Sequence, residues 1–144
     1  MGKINLSRVI LGGIVAGIVS GFLAYLVDGV LLAPKWAYDM EQLGRPALTT
    51  NQIVWFNLLG LVGGIFLIWI YAAIRPRFGA GPMTAIYASV VFWIVAILIP
   101  NASFMVVAGL FGKHLALYTT AGGLVETLAG ALAGAALYKE ESTA

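Results

Sequence analysis

The chain has 144 residues, 61% of them hydrophobic and 10% charged, with a formal net charge of +2 and no cysteine. Such a composition lies far from the soluble average and fits an integral membrane protein of one domain. The few basic residues are scattered rather than clustered, which argues against nucleic-acid binding, and the lack of cysteine excludes disulfides, iron–sulfur clusters and thiol chemistry.

In chain order, four apolar segments stand out at 9–33, 52–74, 82–99 and 115–138. Each approaches or exceeds the length needed to cross about 30 Å of hydrocarbon at about 1.5 Å per residue. Lipid offers no hydrogen bonds to free backbone, so the spans must be helical, and none of them alternates as a barrel strand would. The expected fold class is therefore all-α: a polytopic protein with four transmembrane helices in a compact glycine-packed bundle, residues 1–144 forming a single membrane domain. The basic start and long apolar run of the first segment imply a retained span rather than a cleaved signal.

After Pro34, residues 35–44 place Trp36, Met40 and Leu43 at helical spacing opposite Asp39, Glu41 and Gln42, predicting a short interfacial helix. Thr50 and Asn51 are candidate N-caps for the second span, and Pro82 is placed to start the third. Pro100 leaves two paths open for residues 100–112: a helix kinked at the proline and continuing to 112, or a separate surface segment.

Glycine is unevenly distributed. Gly13, Gly17 and Gly21 in the first span, Gly60 and Gly64 in the second, and Gly122, Gly130 and Gly134 in the fourth recur at spacings of four or multiples of four, which mark close-packing faces. Residues 82–99 carry none. The first, second and fourth spans are expected to form the core, and the third to face lipid or a partner.

Of the six acidic residues, Asp28 and Glu126 alone lie inside a span; the basic residues lie in loops or at helix ends. A carboxylate at bilayer depth costs a few kcal/mol on insertion scales, so it faces protein or water and is paired or protonated. Glu126 shares the four-residue spacing of Gly122, Gly130 and Gly134. On regular helices, Asp28 falls about 20° from Gly17 and Asn57 about 20° from Gly64. These three side chains are therefore expected to converge in the outer half of the bundle, with Tyr25, Thr119 and Thr120 in reach and His114 or Asn101 capping from the loop.

Two functions are compatible with that cluster. In one it is polar glue that fixes helix register, with Glu126 bonded to Asn57 or a backbone carbonyl; in the other it is a proton or cation site with Glu126 as carrier, Asp28 and Asn57 as relay or ligand groups and Tyr25 in reach. No catalytic, nucleotide or metal signature is present, so neither enzymatic activity nor a cofactor is expected. His114 lacks motif spacing with Asp28 and Glu126. The sequons at Asn5 and Asn101 matter only in a eukaryotic source.

The expected partners are the lipid bilayer and either a second copy or other membrane subunits, as homo-oligomer or accessory subunit, with a small proton- or cation-coupled transporter as the alternative. Lys3, Arg8, Arg75, Arg77 and Lys139 on one side, against Lys35, Arg45 and Lys113 on the other, favour cytoplasmic termini in a bacterial inner membrane.

Overall fold

The computed structural model describes residues 3–141, and all regular structure among them is helical. Four helices are long and apolar enough to cross a membrane: α1 (Leu6–Leu31), α3 (Thr50–Phe78), α4 (Pro82–Val107) and α5 (Lys113–Leu137). A short helix, α2 (Ala33–Gln42), lies between the first two. Glu141 N donates to the Lys3 carbonyl at 3.4 Å, so both ends of the chain meet at one end of the bundle, the terminal end. Helix α2 and the segments 43–49 and 108–112 occupy the opposite, distal end.

Local sequence explains most boundaries. Asn5 caps α1 by accepting from Arg8 N. Helix α3 is capped one residue before the two expected caps: Thr49 and Gln52 form a reciprocal capping box that satisfies two of the free amides of the first turn. Pro34 lies in the first turn of α2, where its missing N–H costs nothing. The interfacial helix thus begins just ahead of the expected 35–44 segment, at Ala33, and ends at Gln42. Pro82 opens α4 as expected.

Pro100 does not end the third span, and no separate surface segment forms there. Helix α4 continues to Val107 by widening into π-helical turns at Ile94–Leu98 and Asn101–Val107, on either side of the proline. Proline lacks an N–H and its ring collides with the carbonyl four residues back, and a wider turn relieves both. The helix stops short of 112, at a turn whose Gly109 takes a positive φ of 66°.

Helix α1 packs against α3 and α5, and α4 completes the ring by packing against the same two helices. At the α1–α3 crossing, a Cβ added to Gly17 would lie 2.8 Å from Leu61 Cα, and one on Gly64 2.5 Å from Gly17 N. At the α1–α5 crossing, one on Gly130 would lie 2.8 Å from the Ala16 carbonyl oxygen, and one on Gly134 2.9 Å from Ala16 Cβ. Gly13 likewise abuts the Ile65 backbone. A Cβ on Gly60 would meet nothing within 4 Å, although the Gly60 carbonyl oxygen lies 3.1 Å from where a Gly17 Cβ would stand; at Gly21 the nearest atom, Asn57 Oδ1, is 3.9 Å away.

The core of the terminal half is apolar and combines Val9, Ala16, Leu67, Ile68, Tyr71, Ala72, Ala85, Ala88 and Ala131. Helix α4 contributes to it through small residues other than glycine: Thr84, Ala85, Ala88 and Ser89 are buried. Its remaining surface faces outward, and within its most apolar window 6% of residues are buried. A second, smaller core of Leu32, Met105, Leu115 and Ala116 closes the distal end beneath Trp36 and Phe111.

Candidate functional site

Helix α5 carries Glu126 near its middle, on the side facing α1. The residue is 8% exposed, and its Oε1 is buried without a hydrogen-bond partner. The carboxyl folds back toward Gly122: a Cβ there would lie 3.4 Å from Oε1 and 2.8 Å from Val27 Cγ1. Glycine at 122 therefore leaves the space that both the glutamate and α1 use.

Ser20, on α1, donates from Oγ to the backbone carbonyl of Glu126 at 2.9 Å. This bond fixes the register of α1 against α5 at the depth of the glutamate. Sequence reasoning missed it, because a serine in a glycine-rich apolar helix carries no signal of its partner. Its position four residues before Ala24 and three after Gly17, on the small-residue face, is the one available cue.

Asp28 lies in the π-helical stretch Tyr25–Leu31 that ends α1. It is half-buried, and its Oδ1 accepts from Trp36 Nε1 at 3.1 Å. Trp36 in turn stands edge-on to Phe111, with ring centroids 5.3 Å apart. The interfacial helix is thereby tied to both carboxylate-bearing helices, since Asp39 Oδ2 also accepts from Gly112 N at 2.7 Å just before α5. Asp28 directly follows Val27, the α1 side chain that packs at Gly122 beside the Glu126 carboxyl.

Two members of the expected cluster are not brought to it. Asn57 is exposed on α3 and donates to its own helix, at the Ile53 carbonyl, 2.8 Å away. Tyr25 is 63% exposed, its ring lying along Gly29. The physical reasons differ. Residues 50–60 of α3 are exposed, and the α1 residue beside Asn57 is Gly21, which offers no side chain to bond: a Cβ there would lie 3.9 Å from Asn57 Oδ1. In α1, Tyr25 N still donates to the Gly21 carbonyl and the residue points about 80° around the helix from Gly17, and the π-helical turn that follows changes the angular phase of Asp28.

The threonines and Asn101 form a separate polar group. Asn101 Nδ2 donates to Thr119 Oγ1 at 3.3 Å and to Thr120 Oγ1 at 3.0 Å, while Trp93 Nε1 donates to the Thr120 carbonyl at 2.8 Å. These bonds join α4 to α5, so Asn101 acts from within a helix rather than from a loop. His114 stands in the first turn of α5 and stacks on Tyr118 with centroids 6.5 Å apart. Among the described residues, no group of three or more His, Asp or Glu side chains converges as a metal site.

At the terminal end, Tyr71 and Tyr138 meet edge-to-face with centroids 5.8 Å apart. The Arg75 guanidinium lies 5.4 Å from the Tyr138 ring centre and pairs with Glu140 at 3.3 Å. That contact is an ion pair without hydrogen-bond geometry, since Arg75 Nη1 and Nε have no bonded acceptor. Two shallow surface hollows also lie toward this end, one along Leu6, Val9, Ile65 and Trp69 and one along Tyr71, Pro82 and Ala135; neither touches Asp28 or Glu126.

The chain matches no family model, no curated protein and no solved structure.

Proposed function

We propose that the protein is a non-enzymatic component of a membrane assembly, acting as a homo-oligomer or as an accessory subunit. One observation carries this reading. Helix α3 is packed in the terminal half of the bundle, through Gly64, Leu67, Ile68, Tyr71 and Ala72, yet residues 50–60 are exposed on every face. That stretch includes the amide of Asn57 and Gly60, where an added Cβ would meet nothing within 4 Å. A polar amide and a bare glycine are what a neighbouring transmembrane helix uses for close approach, and lipid tails gain nothing from either.

In the proposed setting, both termini face the cytoplasm of a bacterium and the membrane is the inner one, supported by the bias of Lys3, Arg8, Arg75, Arg77 and Lys139 to the terminal end. Close approaches at Gly13, Gly17, Gly64, Gly130 and Gly134 serve as the glycine-lined packing of the single chain. The distal half of α3 extends the same mode to a partner.

The chain contains no cysteine, so single cysteines at positions 50–60 can be cross-linked in native membranes without background. The expected result is cross-linking that recurs every third or fourth position, either to a second copy or to another subunit. An even or absent pattern would overturn the proposal.

A proton- or cation-coupled transporter is favoured by the unpartnered Glu126 oxygen. We place it second because, among the described residues, the buried hydroxyls below that residue bond to backbone rather than to one another. Thr127, Ser89 and Thr84 each bond to backbone carbonyls there, among Val9, Ala16, Leu67, Ile68 and Ala131. Proteoliposome flux that is present in the native protein and lost in Glu126→Gln would reverse this order.

A further inference from the structure

The Glu126 carboxyl is at odds with its surroundings as polar glue. Its Oε1 is shielded from even a water-sized contact and bonds to nothing, while Val27 and Gly122 pack beside it. Ser20, the nearest hydroxyl along α1, is bonded to the Glu126 backbone. Helix α4 presents Ile97 to this part of α5, against Gly123, while α3 meets α1 at Gly17 through Gly60 and Leu61, and its Asn57 Oδ1 lies 3.9 Å from where a Gly21 Cβ would stand. The acidic residue nearest along α1 is Asp28, which directly follows Val27, the side chain that meets Gly122 beside the Glu126 carboxyl. Two carboxylates in an apolar setting do not both remain ionised without a cation between them, and an occluded oxygen leaves no room for a metal ion or an amine. A proton needs no cavity.

We propose that Glu126 and Asp28 form a buried proton-binding site, loaded from the distal side of the membrane and coupled to the spacing of α1 and α5. Asp28 is half-buried near that side, held by Trp36 Nε1, and is the group that links water to the deeper carboxyl. One proton from distal water adds to the Glu126 carboxylate, and the charge of the pair changes from two negatives to one. No other reactant takes part. With the proton bound, α1 and α5 keep the contact that the Ser20 hydroxyl closes on the Glu126 carbonyl. Without it, the two carboxylates repel across the same contact, and the π-helical turn Tyr25–Leu31 is the segment free to yield. The site binds a proton without passing it through the membrane, which separates it from the transporter reading.

Infrared difference spectroscopy of the protein in phosphatidylcholine vesicles, stepped through pH, tests the site. The expected result is one carboxylic C=O stretching band that exchanges slowly with deuterium and shifts when glutamate is carbon-13 labelled. The same band is expected to be lost in Glu126→Gln and kept in Glu140→Gln. Labelled native protein makes the result independent of how the variants fold, because Glu41 and Glu141 are exposed and Glu140 is partly so, and all three exchange quickly. A missing band, a band unmoved by the label, or one retained in Glu126→Gln would overturn the proposal. Cross-linking along residues 50–60 reads the assembly independently, so loss of one result leaves the other standing.

Discussion

The two halves of the molecule are built on different terms. In the terminal half, four helices meet around Ala16, Leu67, Ile68, Ala85 and Ala131, each 0–1% exposed, and the end is closed by Tyr71, Tyr138, Arg75 and Glu140. In the distal half α3 stands apart, all three π-helical segments occur, and a buried carboxyl oxygen lacks a partner. Close packing fixes one geometry, because dense interiors do not deform continuously. Wide helical turns and unpaired polar atoms leave a segment with alternatives. The difference teaches that stability resides in one half and adjustability in the other.

The largest expected effect breaks the comparison at its firmest point. Gly64→Leu puts a Cβ 2.5 Å from Gly17 N, and the backbones of α1 and α3 must part. A loss of about 3 kcal/mol or more is expected in a steric-trapping unfolding assay in bicelles. Gly60→Ala, four residues away with nothing within 4 Å, should change stability by less than about 0.5 kcal/mol in the same assay. Comparable losses at both positions would erase the distinction between the halves.

Core truncation sharpens it next. Leu67 is 1% exposed and Leu59 is 62% exposed, on the same helix. Leu67→Ala is expected to cost roughly 2–4 kcal/mol through the cavity it leaves, and Leu59→Ala is expected to fall within about 0.5 kcal/mol of the native protein. The difference should persist whether unfolding is followed by protease susceptibility or by helical signal.

A smaller effect belongs to the distal side. Trp36→Phe keeps the edge contact with Phe111 and removes the bond to Asp28, for an expected loss of about 1 kcal/mol. Its signature is local: faster amide exchange in α2 and the end of α1, with the terminal half unchanged. Exchange that rises uniformly along the chain would contradict the independence of the two halves.

The smallest effect is expected at the terminal latch. Arg75 and Glu140 side chains are 20% and 31% exposed, so solvent screens the pair. Glu140→Gln should cost about 0.5 kcal/mol and lose even that as salt is raised.

Much of the fold is legible in the sequence because its signals are local. Apolar runs bounded by Pro34, Pro82 and the 43–49 loop mark the four spans and the interfacial helix, each observed within a few residues of its expected limits apart from the extension of α4 past Pro100. That extension is not legible. Whether a proline breaks a helix or widens it depends on whether neighbours hold the chain on both sides, here Asn101 bonded to Thr119 and Thr120. The packing role of α4 is hidden for another reason: glycine is the sequence marker of close approach, whereas Ala85, Ala88 and Ser89 serve as well.

The candidate site divides the same way. That Glu126 and Asp28 are the acidic residues inside spans is a property of the sequence, since burying a charge in lipid is costly whatever the fold. Helical spacing alone also places Glu126 on a small-residue face. Which side chains meet it was decided by tertiary structure. Tyr25 faces outward at the start of the π-helical turn in α1, Asn57 bonds to its own helix beside the bare Gly21, and the α1–α5 register brought Ser20 to the Glu126 carbonyl and left Oε1 without a partner. A sequence specifies which groups cannot be left in lipid. The angles and separations of whole helices, set by contacts far along the chain, determine what those groups face.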